Sequence, residues 1–319
     1  MTETRTAHKT QTAPHPDDLA ALLPSWVRSL RAAGLAPTTV AAYRHSLQSL
    51  QEDLARLGRT TQLPRLTTED LEGWMGDLLA RRSRGTAAHR FRALQQFFKW
   101  AIGERLISAS PMERMRQPKV VEQPPAILTD EQLKALLATC AGSDFESRRD
   151  TAIIRLLIDT GCRLAEIAGL RYVPNDAERC DIELGTDYVH FLGKGGRRRT
   201  NPFGTKAGAA LDRYLRLRAT HRHAGRPELW LARKGRLGRT GIQQMIRRRG
   251  AAAGLGNGLH PHQFRHTNAH ASMASGMSES DLMNLRGWRS HQMVRRYGAS
   301  AAHERAIQAG RKATFSDRV

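Results

Sequence analysis

TAIIRLLIDTGCRLAEIAGL, residues 151–170, is the stretch from which the rest of the chain can be read. Its first half is strongly apolar at helical spacing. Gly161 follows as a C-cap, since a residue without Cβ can close a helix in the left-handed region. Arg163 then stands at the start of a further helix, with Glu166 three residues on. Met alone, such a pair is an ordinary ion pair on a helix surface. Upstream, Thr129 and Gln132 form a capping box that starts a helix. Before it, Pro111, Pro118, Pro124 and Pro125 punctuate the chain, and PKVVEQPP (118–125) is excluded from helix. This is a linker.

On the N-terminal side of the linker the periodicity is helical throughout. Leu19, Leu22, Leu23, Trp26 and Leu30 share one face; Val40, Tyr43, Leu47, Leu50 and Leu54 share another. Leu71, Trp74 and Leu78 make a third stripe, and Phe91, Leu94, Phe98 and Ile102 a fourth. Thr67 and Asp70 stand as a capping box with Asp in place of Glu. Four amphipathic helices make a small bundle. Downstream of residue 170, CDIEL, DYVHFL and RRRTNPF read as three short strands, with Gly-Lys-Gly-Gly turning between the last two. Helices return at about 205–219, 240–253, 262–275, 279–286 and 291–297. The expected organisation is a flexible tail (1–15), a helical domain (16–117), the linker (118–126), a mainly helical domain with a small antiparallel sheet (127–300), and a C-terminal helix or tail (301–319).

Charge separates the two halves. The 319 residues hold 51 Lys and Arg against 30 Asp and Glu, a net of +21. Residues 188–319 hold 26 of those bases and only 6 of the acids. Solvated surfaces normally mix both signs, so the C-terminal part is expected to face a polyanion, with nucleic acid first. In the first half the bases cluster in RRSRGTAAHRFR (81–92). No run of apolar residues is long enough to span a membrane, and MTETRTAHKT lacks the apolar core of a secretory signal. Three cysteines without CxxC spacing support neither a disulfide scaffold nor a thiolate metal site. A cytoplasmic, nucleoid-associated protein without membrane partners is expected.

Which residues of the basic domain can carry chemistry? The few acids after residue 187 are ungrouped, and no phosphate loop ending in Gly-Lys-Ser/Thr occurs, so nucleotide hydrolysis has no support. His262, His266 and His270 fall on one helix, but about 1.5 Å of rise per residue puts the outer two roughly 12 Å apart, too far for one ion. What remains is a set of cations and a phenol: Arg163; Lys194 at the tip of FLGKGGRRR (191–199); His262 and Arg265 in HPHQFRHT (260–267); Trp288 and Tyr297 in LRGWRSHQMVRRYG (285–298).

In this order the set resembles the catalytic pattern of the tyrosine recombinases (phage integrase family): Arg, Lys, His-x-x-Arg, His or Trp, then Tyr. The separations here are 31, 68, 3, 23 and 9 residues. APTTVAAYRHSLQSL (36–50) and RGTAAHRFRALQQFFKWA (84–101) are similar to the helices with which the family's first domain crosses DNA, so the likeness spans roughly residues 16–300.

The resemblance implies a helical, SAM-like core-binding domain followed by an α+β catalytic domain. The implied activity is site-specific DNA cleavage and rejoining through a 3′-phosphotyrosine. Integration or excision would run through a Holliday junction, with four subunits on two duplex sites and each subunit's two domains closing round the DNA. No metal ion, nucleotide or other cofactor is called for, and accessory proteins are allowed for. Arg163 and Arg265 would clamp the phosphate, Lys194 would act as general acid, His262 as proton acceptor or phosphate ligand, and Tyr297 as nucleophile. Trp288 stands where His is commoner; its indole N–H can donate to phosphate but cannot shuttle a proton. Glu166 and His266 are supporting residues. DNA contacts are expected from Thr38, Thr39, Tyr43, Arg44, Arg81, Arg82, Arg84, His89 and Arg90 in the first domain, and from Arg197, Arg198, Arg199, Arg239 and Arg247 in the second. Residues 301–319, with AAHERAIQAGRK, would dock on a neighbouring subunit. The rivals are a type IB topoisomerase and a non-catalytic DNA-binding regulator on the same fold.

Overall fold

The apolar stripes before the linker form four helices, each entered through a recognisable cap: α1 (Leu19–Ala32), α2 (Pro37–Arg56), α3 (Thr68–Arg81) and α4 (Arg84–Gly103). The Asp18 side chain accepts from Ala20 N, Pro37 opens α2, Thr67 and Asp70 close a reciprocal capping box, and Ser83 accepts from Thr86 N. The computed structural model describes residues 15–120, 126–174, 176–193, 198–256 and 258–288, and residues 290, 291, 294, 306, 307, 310 and 311 beyond them. The chain divides into two compact units, Met1–Glu122 and Gln123–Val319. Nearly all of the expected tail, the Lys194 turn, most of the last expected helices and Tyr297 lie outside the described residues.

The first unit buries Trp26, Trp74, Phe91, Phe97 and Phe98 among Leu19, Leu47, Leu50 and Leu54. RRSRGTAAHRFR spans a helix boundary: Arg82 is extended (φ −136°), so Arg81 ends α3 and Ser83 starts α4. One expectation needs correcting here. Ile102 is 38% exposed, and Phe97 and Ala101 take the inward face assigned to it. Beneath this run lies a buried carboxylate, Asp53, which accepts from Trp74 Nε1 at 3.1 Å and from Arg81 Nη2 at 3.0 Å. Arg81 also pairs with Asp77, so its guanidinium, 42% exposed, is held by two carboxylates.

The second unit is organised round α6 (Phe145–Thr160), which packs on α8 (Thr205–Ala219) and α10 (Pro261–Ala274) and buries Ile153, Ile154, Leu156 and Leu157. The remaining helices are α5 (Asp130–Ala138), the five-residue α7 (Leu164–Ala168), α9 (Arg239–Ala252) and α11 (Glu279–Arg286). An antiparallel sheet runs in the order β1 (Ile182–Glu183), β2 (Tyr188–Leu192), β3 (Arg198–Pro202), with Val189 opposite Asn201 and Phe191 opposite Arg199. The first strand is shorter than CDIEL suggests. A second ribbon, β4 (Leu231–Ala232) with β5 (Gly235–Arg236), was not expected from the sequence.

Two buried arginines lock this unit. Asp150, with no exposed surface, accepts from Arg149 Nη2 and Arg249 Nη2, each at 2.8 Å, tying α9 to α6. Arg249, the third arginine of the run 247–249, is thus paired inward with its side chain 16% exposed. Arg218, 2% exposed, donates to the carbonyls of Ala224, Arg226, Glu228 and Leu229 and holds the loop that leads into β4. Among the described residues no helix is long and apolar enough to cross a membrane.

Candidate active site

The site begins where α6 stops. Gly161 is left-handed (φ +53°), which a residue with Cβ adopts only at a cost; an added Cβ would also meet Asn268 Oδ1 at 3.0 Å. Leaving α6 this way turns the Gly161 carbonyl toward α10, where it accepts from Arg265 Nη1 at 2.8 Å. Two residues later Arg163 is the N-cap of α7. Thus Arg163 and Arg265, 102 positions apart in the numbering, are tied to one turn of backbone.

Arg163 is set by Glu166. Its backbone N–H donates to Glu166 Oε2 at 2.6 Å and its Nη1 to Oε1 at 2.9 Å. The Arg163 side chain is 40% exposed and that of Glu166 only 5%, so the guanidinium lies between a buried carboxylate and solvent. Burial alone would raise the Glu166 pKa; attraction to Arg199, the Arg163 N–H and the Arg163 charge outweigh it and hold the carboxyl below its usual range. The short helix is gripped at its other end. Trp230 Nε1 donates to Ile167 O at 2.8 Å, and Arg236 Nη2 to Ala168 O at 2.9 Å.

Arg265 itself is 2% exposed, and its second amino group, Nη2, donates to Arg286 O at 3.0 Å. Its guanidinium carbon lies 5.2 Å from the centre of the Trp288 ring. Trp288 is 6% exposed and packs with Ala269, Met273, Leu282 and Val294, so it serves as a core aromatic as well as an active-site neighbour. His262 is exposed in the first turn of α10, three residues before Arg265; His266 is half-buried one turn further on. Lys194, Arg197 and Tyr297 lie outside the described residues.

Arg286 belongs to this cluster and was not anticipated. It is 2% exposed, and its Nη2 donates to Asn268 Oδ1. Burial, with the Arg265 and Arg199 charges, pushes its pKa down to about 9, which still leaves a cation at neutral pH. One signal was available: Arg286 lies four residues after Leu282 and so shares the apolar face of α11. Arg199 also differs from expectation. Instead of a DNA-facing cation it is an inward one, 11% exposed, paired with Glu166. Arg198, by contrast, is 54% exposed with Asp181 as its partner at 3.5 Å. Thr38, Arg44, Arg82, Arg84, His89, Arg239 and Arg247 are exposed; Thr39, Tyr43 and Arg90 are half-buried, with Tyr43 stacked on Trp26 and Arg90 donating to Ser49 Oγ.

Two guanidinium groups, Arg163 and Arg199, hold one carboxylate, Glu166, and two more, Arg265 and Arg286, are linked to each other through the Arg286 carbonyl. Such an excess of fixed cations suits an anion that gathers further charge as it reacts. The buried Cys162 thiol beside it is pushed up to about 11, mainly by burial, and is inert at neutral pH.

Comparison with known proteins agrees with both units. Residues 126–304 match the model of the phage integrase family, and residues 23–105 match the phage integrase N-terminal SAM-like domain. Tyrosine recombinase XerC of Ralstonia pickettii (strain 12J) is 34% identical over 280 residues, 83% of this chain and 83% of its own length. In fold the chain is similar to a lambda integrase dimer bound to a COC′ core site, with a TM-score of 0.71 and 18% identity, covering 88% of this chain and 77% of that one. A lambda integrase tetramer bound to a Holliday junction gives a TM-score of 0.68 at 18% identity, covering 90% and 83%.

Proposed function

The chain belongs to the phage integrase family and is a tyrosine-type site-specific recombinase, an enzyme that breaks and rejoins DNA; from that premise we propose how its own residues divide the work. The Arg163 and Arg265 guanidiniums grip the non-bridging oxygens of the scissile phosphate and neutralise the charge that repels a nucleophile. The Tyr297 phenol oxygen attacks phosphorus as its proton passes to His262 or to solvent. The bond to the 5′ oxygen breaks, and Lys194 gives that oxygen a proton, leaving a 3′-phosphotyrosine and a 5′-hydroxyl. Attack by a 5′-hydroxyl of the partner duplex reverses the step and joins new strands. Trp288 packs against Arg265 and keeps its guanidinium oriented. Because the phosphotyrosine retains the energy of the broken bond, neither nucleotide hydrolysis nor a metal ion enters the balance.

One observation carries this reading most directly: Arg265 hangs on the Gly161 carbonyl two residues before Arg163, so both clamping residues share one anchor. The exposed basic residues Arg44, Arg82, Arg84, Arg239 and Arg247 suit contacts to duplex phosphates. A tetramer on two DNA sites and a Holliday-junction intermediate are the assembly and route proposed for this chain, since a tetramer of that kind is the state of the lambda integrase with which it shares a fold. The proposed setting is the nucleoid, and residues 301–319 are proposed to dock on the adjacent subunit.

The test is a denaturing gel of protein with end-labelled DNA from the flanks of its own gene, in EDTA, comparing wild type with Tyr297→Phe. A protein-linked band in wild type alone is the expected result. A band that persists in the Phe variant refutes Tyr297 as nucleophile, and loss of the wild-type band in EDTA refutes the metal-free route. Relaxed circles without recombinant joints would make the enzyme a topoisomerase.

A further inference from the structure

Arg199 is the last of three consecutive arginines, and a basic run after a hairpin turn reads as a surface for phosphate. The alternation of β3 turns it the other way: Arg199 and Asn201 share the inward face, while Arg198 and Thr200 point outward. Arg199 Nη2 donates to Glu166 Oε2 at 2.6 Å, and Nη1 donates to Leu285 O at 2.7 Å and to Asn201 Oδ1. Its guanidinium carbon sits 4.7 Å from the centre of the Phe191 ring. Gly287 is left-handed (φ +62°), and a Cβ there would lie 3.4 Å from Arg199 Cδ, so the chain after α11 passes close against this side chain.

These contacts join every described element of the site. Glu166 sets Arg163; Leu285 directly precedes Arg286, whose carbonyl holds Arg265, and Trp288 is two residues beyond Arg286. β3 begins at Arg198, four positions after Lys194 in the sequence. The carboxylate is shared: Oε1 takes Arg163 Nη1, while Oε2 takes the Arg163 N–H and Arg199. A carboxylate only 5% exposed needs its charge compensated. With Arg199 present, that compensation does not fall on Arg163 alone. Without it, Glu166 would draw the half-exposed Arg163 guanidinium inward, away from the phosphate.

Resting on the recombinase reading above, we infer that Arg199 is a positioning residue: it acts through Glu166 to keep Arg163 turned toward the scissile phosphate, and it is not a DNA contact. Its role is therefore separable from that of its exposed neighbour Arg198.

The experiment uses the full chain and a nicked duplex containing the site at which wild type forms its covalent complex. First-order cleavage at saturating protein, and DNA affinity over a range of salt, are measured for wild type, Arg199→Met, Arg199→Lys, Glu166→Gln and the Met/Gln double variant. Arg199→Met is expected to slow cleavage by ~100-fold, as misplacement of a reacting group by about 1 Å does. Its DNA affinity and salt slope should stay at the wild-type values. Arg199→Lys should recover part of the rate, because an ammonium reaches Glu166 without the fork. The double variant should be no slower than the slower single one, since both changes break the same link.

A salt slope reduced by about 0.9 in Arg199→Met would make Arg199 a phosphate contact and overturn the inference. Rate losses that multiply in the double variant would overturn its action through Glu166. If Arg199→Met does not fold, Arg199→Gln, which also removes the charge, decides between the two roles by the same salt slope and rate. Wild type that forms no covalent complex overturns the recombinase reading itself, which separates that failure from failure of the inference.

Discussion

Replacing Gly161 with alanine should damage stability and chemistry together, and a second glycine separates the two effects. Gly161 is left-handed at φ +53°, and for a residue with Cβ that conformation costs about 1–2 kcal/mol. The new Cβ would also sit 3.0 Å from Asn268 Oδ1 and 3.1 Å from Asn268 Cβ, closer than ordinary van der Waals contact. Asn268 cannot swing aside cheaply, because its Nδ2 donates to Ile158 O and Asp159 O, each at 2.8 Å, and its Oδ1 accepts from Arg286. Overpacking of this kind adds about 1–3 kcal/mol, for a total of roughly 2–5 kcal/mol. Gly254 in the same unit is also left-handed, at φ +73°, but a Cβ there meets nothing within 4 Å. Gly254→Ala should therefore show the backbone cost alone, about 1–2 kcal/mol.

Urea unfolding of both variants measures that difference. Only Gly161→Ala should also slow covalent-complex formation, because the displaced carbonyl is the one from which Arg265 hangs; ~100-fold is the scale expected for a shift of about 1 Å. If Gly161→Ala matched Gly254→Ala within about 0.5 kcal/mol and cleaved at the wild-type rate, the coupling drawn between this cap and Arg265 would be wrong.

Three further outcomes are expected. Asp150→Ala, which strands the 3% exposed Arg149, should lower unfolding free energy by about 3–5 kcal/mol; a loss below about 1 kcal/mol in urea melts would mean the pair is not buried as described. Glu166 has a folded pKa below its unfolded one, so its ionised form stabilises the fold above the unfolded pKa, about 4.3, and that contribution disappears as pH falls through the lower folded value. The stability gap between wild type and Glu166→Gln should accordingly narrow as pH falls below the unfolded pKa of about 4.3, and a gap independent of pH would contradict it. In DNA binding, Arg247→Gln should reduce the slope of log affinity against log salt by about 0.9, while Arg81→Gln, whose guanidinium is held by Asp53 and Asp77, should leave the slope unchanged.

How far the sequence could be read depended on whether a residue's role was local. The capping boxes at Thr67 and Thr129, the Gly161 cap and the apolar stripe of α6 depend on residues within a few positions of one another, and all four stand in the structure as expected. The family assignment was equally legible, since it rests on ordered spacing. Charged residues were misread wherever their partner is distant in sequence. Arg199 finds Glu166 33 positions away, Arg249 finds Asp150 at 99, and Arg286 meets the side chain of Asn268 at 18. A run of arginines carries no mark of which member points inward; strand alternation decides it, and the register was known only once β2 and β3 were paired.

A helix of five residues has too few internal hydrogen bonds to stand on its own, so the conformation that presents Arg163 is lent to α7 by its neighbours. The lenders are Trp230 and Arg236, which hold its last carbonyls from the β4–β5 ribbon, and behind them Arg218, around which the preceding loop is wound. Residues 218–236 therefore behave, for the purposes of inheritance and engineering, as part of the catalytic apparatus even though none of them is proposed to touch a phosphate. A loop graft or deletion there would travel to Arg163 through two hydrogen bonds. Amide exchange of α7 should rise and fall with the ribbon rather than with α6, the helix that precedes it in the chain.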